Sequence, residues 1–570
     1  MSTIRTSADD LTLAENGHAA ESDSAPAAVS SWPEWQKILF RIAFVFFLAM
    51  SIPNSAGWYT DLVTFDWTRL HYRDVYDIAR FGSGLDLFGR TLFGSTMEGY
   101  ATWIITLLAS IGAGLVWTVI VKAIKREPKA YNLLYYWIRV VVRYRAGIGI
   151  IGFGYTKLMP TQMPYPSFGL LNTNFGDFTL QKIYWLSVGI VPWYQVFAGV
   201  VELTAGILLF FRGTTMLGAI LLLGALGDIV YVNFAYDGGV HVYSSYFVLL
   251  AAFLLIKDIP KLWNLLILER FTVPDNYYPA FSQKWQRYTR TGLKAGVLGL
   301  FVCYLFWLQY VNFKYDPYKQ PSTAGIKALR GNYNVTEFKI NNKEIAYSPT
   351  DTVRWQWATF EKWTTLTFKV NKPTPLDLSN GGGAPMRDLG RTFELTGTGG
   401  GQRVFHYLAD TLEHTLYLQD KYARNGPRDG VGQLQQREAR QGQAGAGEGT
   451  RAAREGAHTE GEQPQQSGKR GNGREGNSRN WISKAALARI GDENRMIDPL
   501  GQSARREREF AGKQRRDKRK RMILTYSTTD GSRVILKGIN EKKDSIYVVL
   551  DRVERPYVLA KSTLNAGKYD

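Results

Sequence analysis

The sequence predicts a mainly α-helical polytopic membrane protein, with about seven transmembrane helices followed by a C-terminal antiparallel β-barrel or sandwich domain. Nearly all long apolar runs of the 570-residue chain lie before residue 313. Runs of about 18 or more apolar residues are candidates for crossing a bilayer. After residue 325, short segments alternate polar and apolar residues between Gly, Asn and Asp turns, which is typical of antiparallel strands.

The N-terminal segment 1–31 is polar, and its Ser, Ala, Asp and Glu residues leave little hydrophobicity. We interpret it as a disordered cytoplasmic tail. The first apolar run follows without a small-residue cleavage pattern, so we expect it to be retained as a signal anchor.

Seven apolar segments are predicted to span the membrane. Residues 32–133 would contribute two extra transmembrane helices with an external loop, and residues 134–258 would form a four-helix core. Residues 259–292 would form a cytoplasmic amphipathic connection to the seventh span, 293–313. The third helix is crowded with arginines in its first half, and its alternative interpretation is an interfacial helix that turns into the membrane near Tyr144. The predicted spans are 36–54, 101–121, 134–157, 192–211, 214–233, 242–257 and 293–312.

The charges of the short loops predict the orientation. Lysines and arginines are concentrated between helices two and three, four and five, and six and seven, and such loops are cytoplasmic. We therefore expect a protein of the cytoplasmic (inner) membrane with its N-terminus inside. Loops 55–100, 158–191 and 234–241, and everything after Asn312, would be external or periplasmic.

The predicted external β domain comprises 325–423 and 521–557. About eight or nine strands would form a small barrel or sandwich. The alternating runs are 329–340, 352–360, 366–370, 392–396, 414–418, 521–527, 533–538 and 545–553.

A polar tract rich in Gly, Gln and Arg, 424–520, interrupts this domain. The chain has a net charge of +19, and residues 424–521 hold 23 basic and 13 acidic residues. The excess charge thus belongs largely to a segment that cannot bury a core, which argues against a nucleic-acid-binding fold. We interpret the tract as a disordered insertion with a short helix near 481–490; alternatively, its basic run 505–521 binds an anionic surface.

Ionisable residues inside the apolar runs are the candidate site, because charges are costly in a bilayer. Arg145, Lys157, Glu202 and Asp228 form the predicted intramembrane polar cluster. At 1.5 Å per residue Arg145 lies about 18 Å below Lys157, Glu202 about 15 Å deep and Asp228 about 7–8 Å deep. Depth therefore pairs Glu202 with Arg145, and Asp228 with Lys157. The cluster is either a polar pocket for a ligand or proton, or an ion-pair network that fixes helix register.

The stretch 145–258 resembles the DoxX family of small membrane proteins. The first helix of that family reads roughly as Arg, glycines and Gly-x-x-Lys-Leu, and its second carries Glu followed by Gly. Further motifs resemble a longer subgroup with extra helices and a β domain. The residues that carry the resemblance are Arg145, Gly147, Gly149, Gly152, Gly154, Lys157, Leu158, Glu202, Gly206, Arg212 and Gly213, with the subgroup motifs 157–162 and 233–245.

The resemblance implies a four-helix core and a quinone as the lipophilic ligand, because one branch of the family forms part of a thiosulfate:quinone oxidoreductase. A redox partner protein would follow from the same analogy. The motifs place further polar candidates at the outer mouth of the bundle: Gln162, Asn233, Asp237 and His241. One histidine there makes no metal site.

Three function classes stay open from the sequence. The first is a protein that binds a lipophilic molecule among membrane lipids as an accessory part of a redox system. The second is a non-enzymatic scaffold whose external β domain binds a partner or ligand. The third is a transporter, although no pair of broken helices marks two corresponding halves. Cys303 is the single cysteine, which excludes an internal disulfide and a Cys-x-x-Cys redox pair, and no catalytic residue is identified.

Overall fold

The computed structural model describes residues 31–85, 94–273, 277–379, 381–382, 387–422, 481–511 and 519–569. Its N-terminal part is helical and its C-terminal part is a closed antiparallel β-barrel. Several of the helices are apolar and long enough to span a membrane. The predicted combination of apolar helices long enough to span a membrane with a C-terminal β-barrel is therefore confirmed.

Each of the seven predicted spans coincides with a helix or a helical run. Four are long and apolar enough to cross a membrane: Gly99–Ala123, Pro192–Leu209, Thr215–Ala235 and Lys284–Tyr315. A pair bent by 78°, His241–Leu255 with Ile259–Leu266, would make a fifth. The other two predicted spans are a helix of 16 residues and one crowded with arginines, so seven crossings are not confirmed. The helices before the barrel are α1 (Glu34–Ala49), α2 (Ala56–Thr64), α3 (Tyr72–Ala79), α4 (Gly94–Ala123), α5 (Asn132–Leu158), α6 (Phe168–Leu171), α7 (Leu180–Gly189), α8 (Pro192–Leu209), α9 (Thr215–Ala235), α10 (His241–Leu255), α11 (Ile259–Leu266), α12 (Lys284–Val297) and α13 (Leu305–Tyr315).

Helix α5 is the centre of the bundle, and glycines set how closely its neighbours approach. A Cβ added to Gly199 of α8 would lie 2.5 Å from the backbone nitrogen of Leu158 and 2.8 Å from the carbonyl oxygen of Gly154. The ring of Tyr76 from α3 packs directly against Gly152 of α5, and a Cβ added to Gly152 would lie 2.6 Å from that ring. Small residues at such crossings let helices pack backbone to backbone.

The segment predicted as an external loop, 55–100, is more than a loop. Helix α3 packs against α5, and four of its apolar or aromatic side chains are buried in the same cluster as α5, α8 and α13: Tyr72, Val75, Tyr76 and Ala79. Helix α3 therefore forms part of the bundle.

The last helical run contains a π-helical segment, Leu298–Tyr304, between α12 and α13. The Tyr155 hydroxyl donates a hydrogen bond to the Val302 carbonyl oxygen at 2.6 Å. A side chain that captures a carbonyl inside a helix favours this irregular hydrogen bonding.

The barrel has eight strands, because β1 pairs with β9 and closes the sheet; the short β2 adds to the edge of β1. The strands are β1 (Gly331–Ile340), β2 (Lys343–Glu344), β3 (Trp357–Phe360), β4 (Thr365–Lys369), β5 (Gln402–Asp410), β6 (Thr415–Asp420), β7 (Arg521–Ser527), β8 (Arg533–Ile539) and β9 (Ser545–Val553). The strand predicted at 392–396 is wrong, since those residues form turns, and β5 was not predicted. Alternation is weak along β5 because both of its faces are largely buried.

Side chains fill the barrel. Inward residues from all eight strands form one cluster, in which the rings of Trp355 and Phe368 stack with centroids 3.8 Å apart. An eight-stranded barrel has an interior just wide enough for its own side chains. The barrel is thus a packed unit.

The described part of the predicted insertion is folded. Residues 481–511 form α14 (Lys484–Ile490), α15 (Glu493–Met496) and α16 (Ala504–Ala511). The short helix predicted near 481–490 is confirmed, and it covers Leu408 and Tyr417 on the outside of the barrel. Disorder is the wrong expectation for 481–511, because its charged side chains find buried partners. The tail 1–30 and residues 423–480 lie outside the described residues.

The two ends of the bundle differ. Loop 159–191 packs on the barrel, where Glu361 accepts hydrogen bonds from the backbone N–H groups of Phe168 and Gly169 at 2.9 and 2.7 Å. Side chains from the connections 124–131, 210–214 and 256–283, or from residues adjoining them, meet around one pocket away from the barrel. Loop 159–191, which was predicted to be external, thus lies on the barrel side, and the pocket formed around the basic connections lies at the other end.

Candidate functional site

The first intramembrane pair joins α5 to α8. Lys157 donates a hydrogen bond from Nζ to Oε1 of Glu202 at 2.5 Å, and both residues are buried. The second carboxylate oxygen, Oε2, is also buried and has no hydrogen-bond partner among the described residues. The predicted pairing of Glu202 with Arg145 is therefore wrong. The prediction assumed that the outer ends of α5 and α8 lie at the same depth. In the structure, the contact of Gly199 with Gly154 and Leu158 shifts α8 along α5.

Arg145 has a different role, because its guanidinium binds the end of α3. It donates hydrogen bonds to the carbonyl oxygens of Ala79 at 2.8 Å and Phe81 at 3.3 Å, and to the Tyr246 hydroxyl at 3.1 Å. The last carbonyls of a helix lack internal partners, and a cation there satisfies them. Arg145 thus holds α3 in the bundle.

Asp228 does not join the cluster. Its side chain is exposed on α9, on the same face as Tyr231, and Lys157 pairs with Glu202 instead. The predicted pair of Asp228 with Lys157 is therefore also wrong. Within the described residues the four predicted side chains separate into an ion pair, a helix-capping arginine and an exposed acid.

The outer-mouth candidates serve the local structure. Gln162 accepts a hydrogen bond from the Thr156 hydroxyl, and Asn233 donates one to the carbonyl of Ile229 one turn earlier. Asp237 lies exposed in the turn after α9, with a φ of 51°. His241 is stacked between the rings of Tyr100 and Phe234, with centroid distances of 5.8 and 4.4 Å. The described parts of the chain contain no group of three side chains that could hold a metal ion.

The sequence did not identify Arg80, which follows α3 directly. Its guanidinium carbon lies over three rings, at 6.0 Å from Tyr76, 5.5 Å from Phe153 and 5.2 Å from Tyr243. These rings come from α3, α5 and α10. Arg80 is half-buried and forms no ion pair and no side-chain hydrogen bond with any described residue.

Arg80 and Arg145 lie at the same face of α10, on which Tyr243 and Tyr246 are three residues apart. Both contact tyrosines of α10, Tyr243 and Tyr246, and neither is paired with a carboxylate among the described residues. Arg145 already donates hydrogen bonds from Nε, Nη1 and Nη2. Arg80 is therefore the one of the two whose N–H donors, beside the aromatic faces, remain available for a second partner. The arrangement can bind an electron-rich oxygen and stack a planar ring beside it. The signal in the sequence was an arginine directly after a short amphipathic segment.

A second buried network joins the bundle to the barrel. Asp316, just after α13, accepts hydrogen bonds from Arg391 at 2.6 Å and from Arg506 at 2.7 Å, and His71 lies 3.6 Å from its other oxygen. Burial alone would raise the pKa of Asp316, but the charges of Arg391 and Arg506 hold that pKa well below its usual value. We interpret this network as structural because Asp316 is buried together with the two arginines that pair with it.

Comparisons with family models, with characterised proteins and with solved structures find no match to this chain. The resemblance to the DoxX family therefore stays a prediction from the residues.

Proposed function

We propose that the chain is a DoxX-like protein of the cytoplasmic membrane whose bundle binds a lipophilic molecule with a planar, oxygen-bearing ring. A quinone is the ligand class that matches these features. Arg80 carries this proposal, because its guanidinium lies over aromatic rings and has no ion-pair partner among the described residues. A charge partly removed from water is stabilised by an acceptor. A quinone carbonyl would accept its N–H groups while the quinone ring packs on Phe153 or Tyr243.

Neighbouring residues support the same ligand class. Arg145 lies over the ring of Tyr246. This ring stacks on that of Tyr243, which contacts Arg80, with centroids 6.2 Å apart. A second cation nearby would stabilise charge that develops on a reduced ring. The barrel interior is filled by its own side chains, which favours the bundle over the barrel as the ligand site. A role as an accessory component beside a redox partner protein follows from the resemblance.

The ligand test begins with the protein purified in mild detergent. We expect mass spectrometry of the extract to show a quinone in stoichiometric amount, and a short-chain quinone to quench the tryptophan and tyrosine fluorescence. Arg80→Gln should weaken this binding roughly tenfold or more, because a hydrogen bond to a charged donor is lost. Arg69→Gln is the matched control, since Arg69 is exposed in the same segment and pairs with Glu507. Equal binding by Arg80→Gln, or bulk phospholipid alone in the extract, would contradict the proposal.

The orientation is proposed with the barrel outside. The connections predicted to be basic and cytoplasmic meet at the end of the bundle away from the barrel, and positive loops favour the cytoplasmic side. An exported phosphatase fused after Asp316 should be active, and a cytoplasmic fluorescent reporter at that position should be dark. The reverse pattern would overturn the orientation.

A further inference from the structure

The end of the bundle away from the barrel carries an open pocket with an unusual lining. It lies between α5, the α8–α9 turn, the end of α10 and the segment before α12. Four of the described lining residues are basic and none is acidic: Arg139, Arg143, Arg212 and Lys257. Most of the others are aromatic or polar: Asn132, Tyr135, Tyr136, Thr215, Tyr277 and Tyr278.

Three cations in or beside this pocket, Arg212, Arg290 and Lys294, lie over aromatic rings. The guanidinium of Arg212 lies 4.3 Å from the ring centroid of Tyr278, and Nζ of Lys294 lies 3.7 Å from that of Phe211. Arg290 similarly lies over Phe281. Arg139, Arg143, Arg212 and Lys257 all line this one pocket. Like charges this close repel one another, so an anion between them would be stabilised.

Arg143 gives a second, independent indication. Its Nη1 donates to the Thr215 hydroxyl at 3.2 Å, but its Nε is buried without any hydrogen-bond partner among the described residues. A buried donor without an acceptor is costly. In contrast, the Arg139 guanidinium is satisfied by the Leu254 carbonyl and the Asp258 carboxylate at 3.1 and 3.3 Å. Arg143 and Arg212 are therefore the residues available to an anion.

We propose that this pocket binds the phosphate of an anionic phospholipid. The pocket lies at one end of the predicted spans, where headgroups would be, and basic pockets between membrane helices suit lipid phosphates. Apolar side chains are exposed beside it on α9 and α12, among them Met216, Leu217 and Leu293. The phosphate would lie between Arg143 and Arg212, with the tyrosine hydroxyls around it and the acyl chains along these exposed residues.

The test measures lipid binding to the full chain in detergent by native mass spectrometry. The probes are phosphatidylglycerol and, as the zwitterionic comparison, phosphatidylcholine. We expect phosphatidylglycerol to bind at least about tenfold more tightly, and Arg143→Gln/Arg212→Gln to remove that preference. Lys125→Gln/Arg126→Gln is the matched control, because it removes the same charge from exposed residues at the same end and should keep the preference.

Two further arms separate lipid binding from misfolding and from binding of free phosphate. Arg212→Gln alone changes only an exposed side chain, so it should fold normally and still weaken phosphatidylglycerol binding severalfold. Inorganic phosphate and glycerol phosphate at millimolar concentration should not displace the lipid. Equal binding of both lipids, an unchanged preference in the Arg143/Arg212 variants, or displacement by free phosphate would each overturn the proposal.

Discussion

Lys157 and Glu202 form an ion pair inside the helical bundle, with Nζ 2.5 Å from Oε1 and both side chains buried. Oε2 of Glu202 has no hydrogen-bond partner among the described residues, and the predicted partners, Arg145 and Asp228, lie elsewhere. Each charge therefore depends on the other, which makes the pair sensitive to single substitutions.

Glu202→Gln and Lys157→Met should each destabilise the protein, because either change leaves the other charge buried without a partner. The expected loss is roughly 3–5 kcal/mol for each, by analogy with buried pairs in soluble proteins. The double variant Lys157→Met/Glu202→Gln should recover part of this loss. Thermal unfolding in detergent measures all three. Asp228→Asn is the control, since its exposed side chain should change stability little, and strictly additive losses in the double variant would show that the pair does not interact.

The helices could be predicted because hydropathy is a property of local sequence. The pairing of charges could not, because it depends on the relative shift of α5 and α8, which the contact of Gly199 with Gly154 and Leu158 determines. Arg80 was missed for a similar reason: its three rings come from segments far apart in the chain, on α3, α5 and α10.

Arg145→Gln should loosen α3 from the bundle, because glutamine lacks the guanidinium that donates hydrogen bonds to the carbonyl oxygens of Ala79 and Phe81. We expect faster amide hydrogen exchange in residues 72–81, with the rest of α5 changed little. Arg126→Gln, an exposed arginine at the other end, is the control. Unchanged exchange in 72–81 would show that apolar packing alone holds α3.

Glu361 should make stability depend on pH. Burial raises its pKa from 4.5 to about 7, so the folded protein holds this proton more tightly than the unfolded chain. Its contribution is therefore full below pH 4.5 and is lost as pH rises through 7, by roughly 3 kcal/mol in total. Glu361→Gln should remove this dependence, as seen in the difference between wild-type and variant unfolding free energies from pH 4.5 to 8. A difference that stays constant with pH would contradict the assignment.

The strands show where local patterns fail. Residues 392–396 alternate like a strand, yet Phe393 and Leu395 are buried in turns, and β5 was missed because helix α14 covers Leu408 on its outer face. The folded segment 481–511 was missed because composition alone suggests solvation. Its fold depends on acids far away in the chain, which no local window contains.

Arg506 should be the residue that fixes this segment. It is fully buried on α16 and donates to Asp316 at 2.7 Å and to Asn494 at 2.9 Å, while Arg505 binds Asp74 and Asp77 of α3. Arg506→Leu would leave Arg391 as the remaining arginine partner of Asp316. The buried Asp316 carboxylate would then be only partly neutralised. We expect a loss of about 3 kcal/mol and new protease cleavage within 481–511. Arg508→Leu is the control on the same helix, because Arg508 is half exposed and 3.8 Å from Asp74. If both variants were equally stable and equally resistant to cleavage, apolar contacts such as those of Ile482 and Ile490 would hold the segment instead. Deleting 481–511 would then expose the outer face of the barrel that α14 covers and leave the barrel folded.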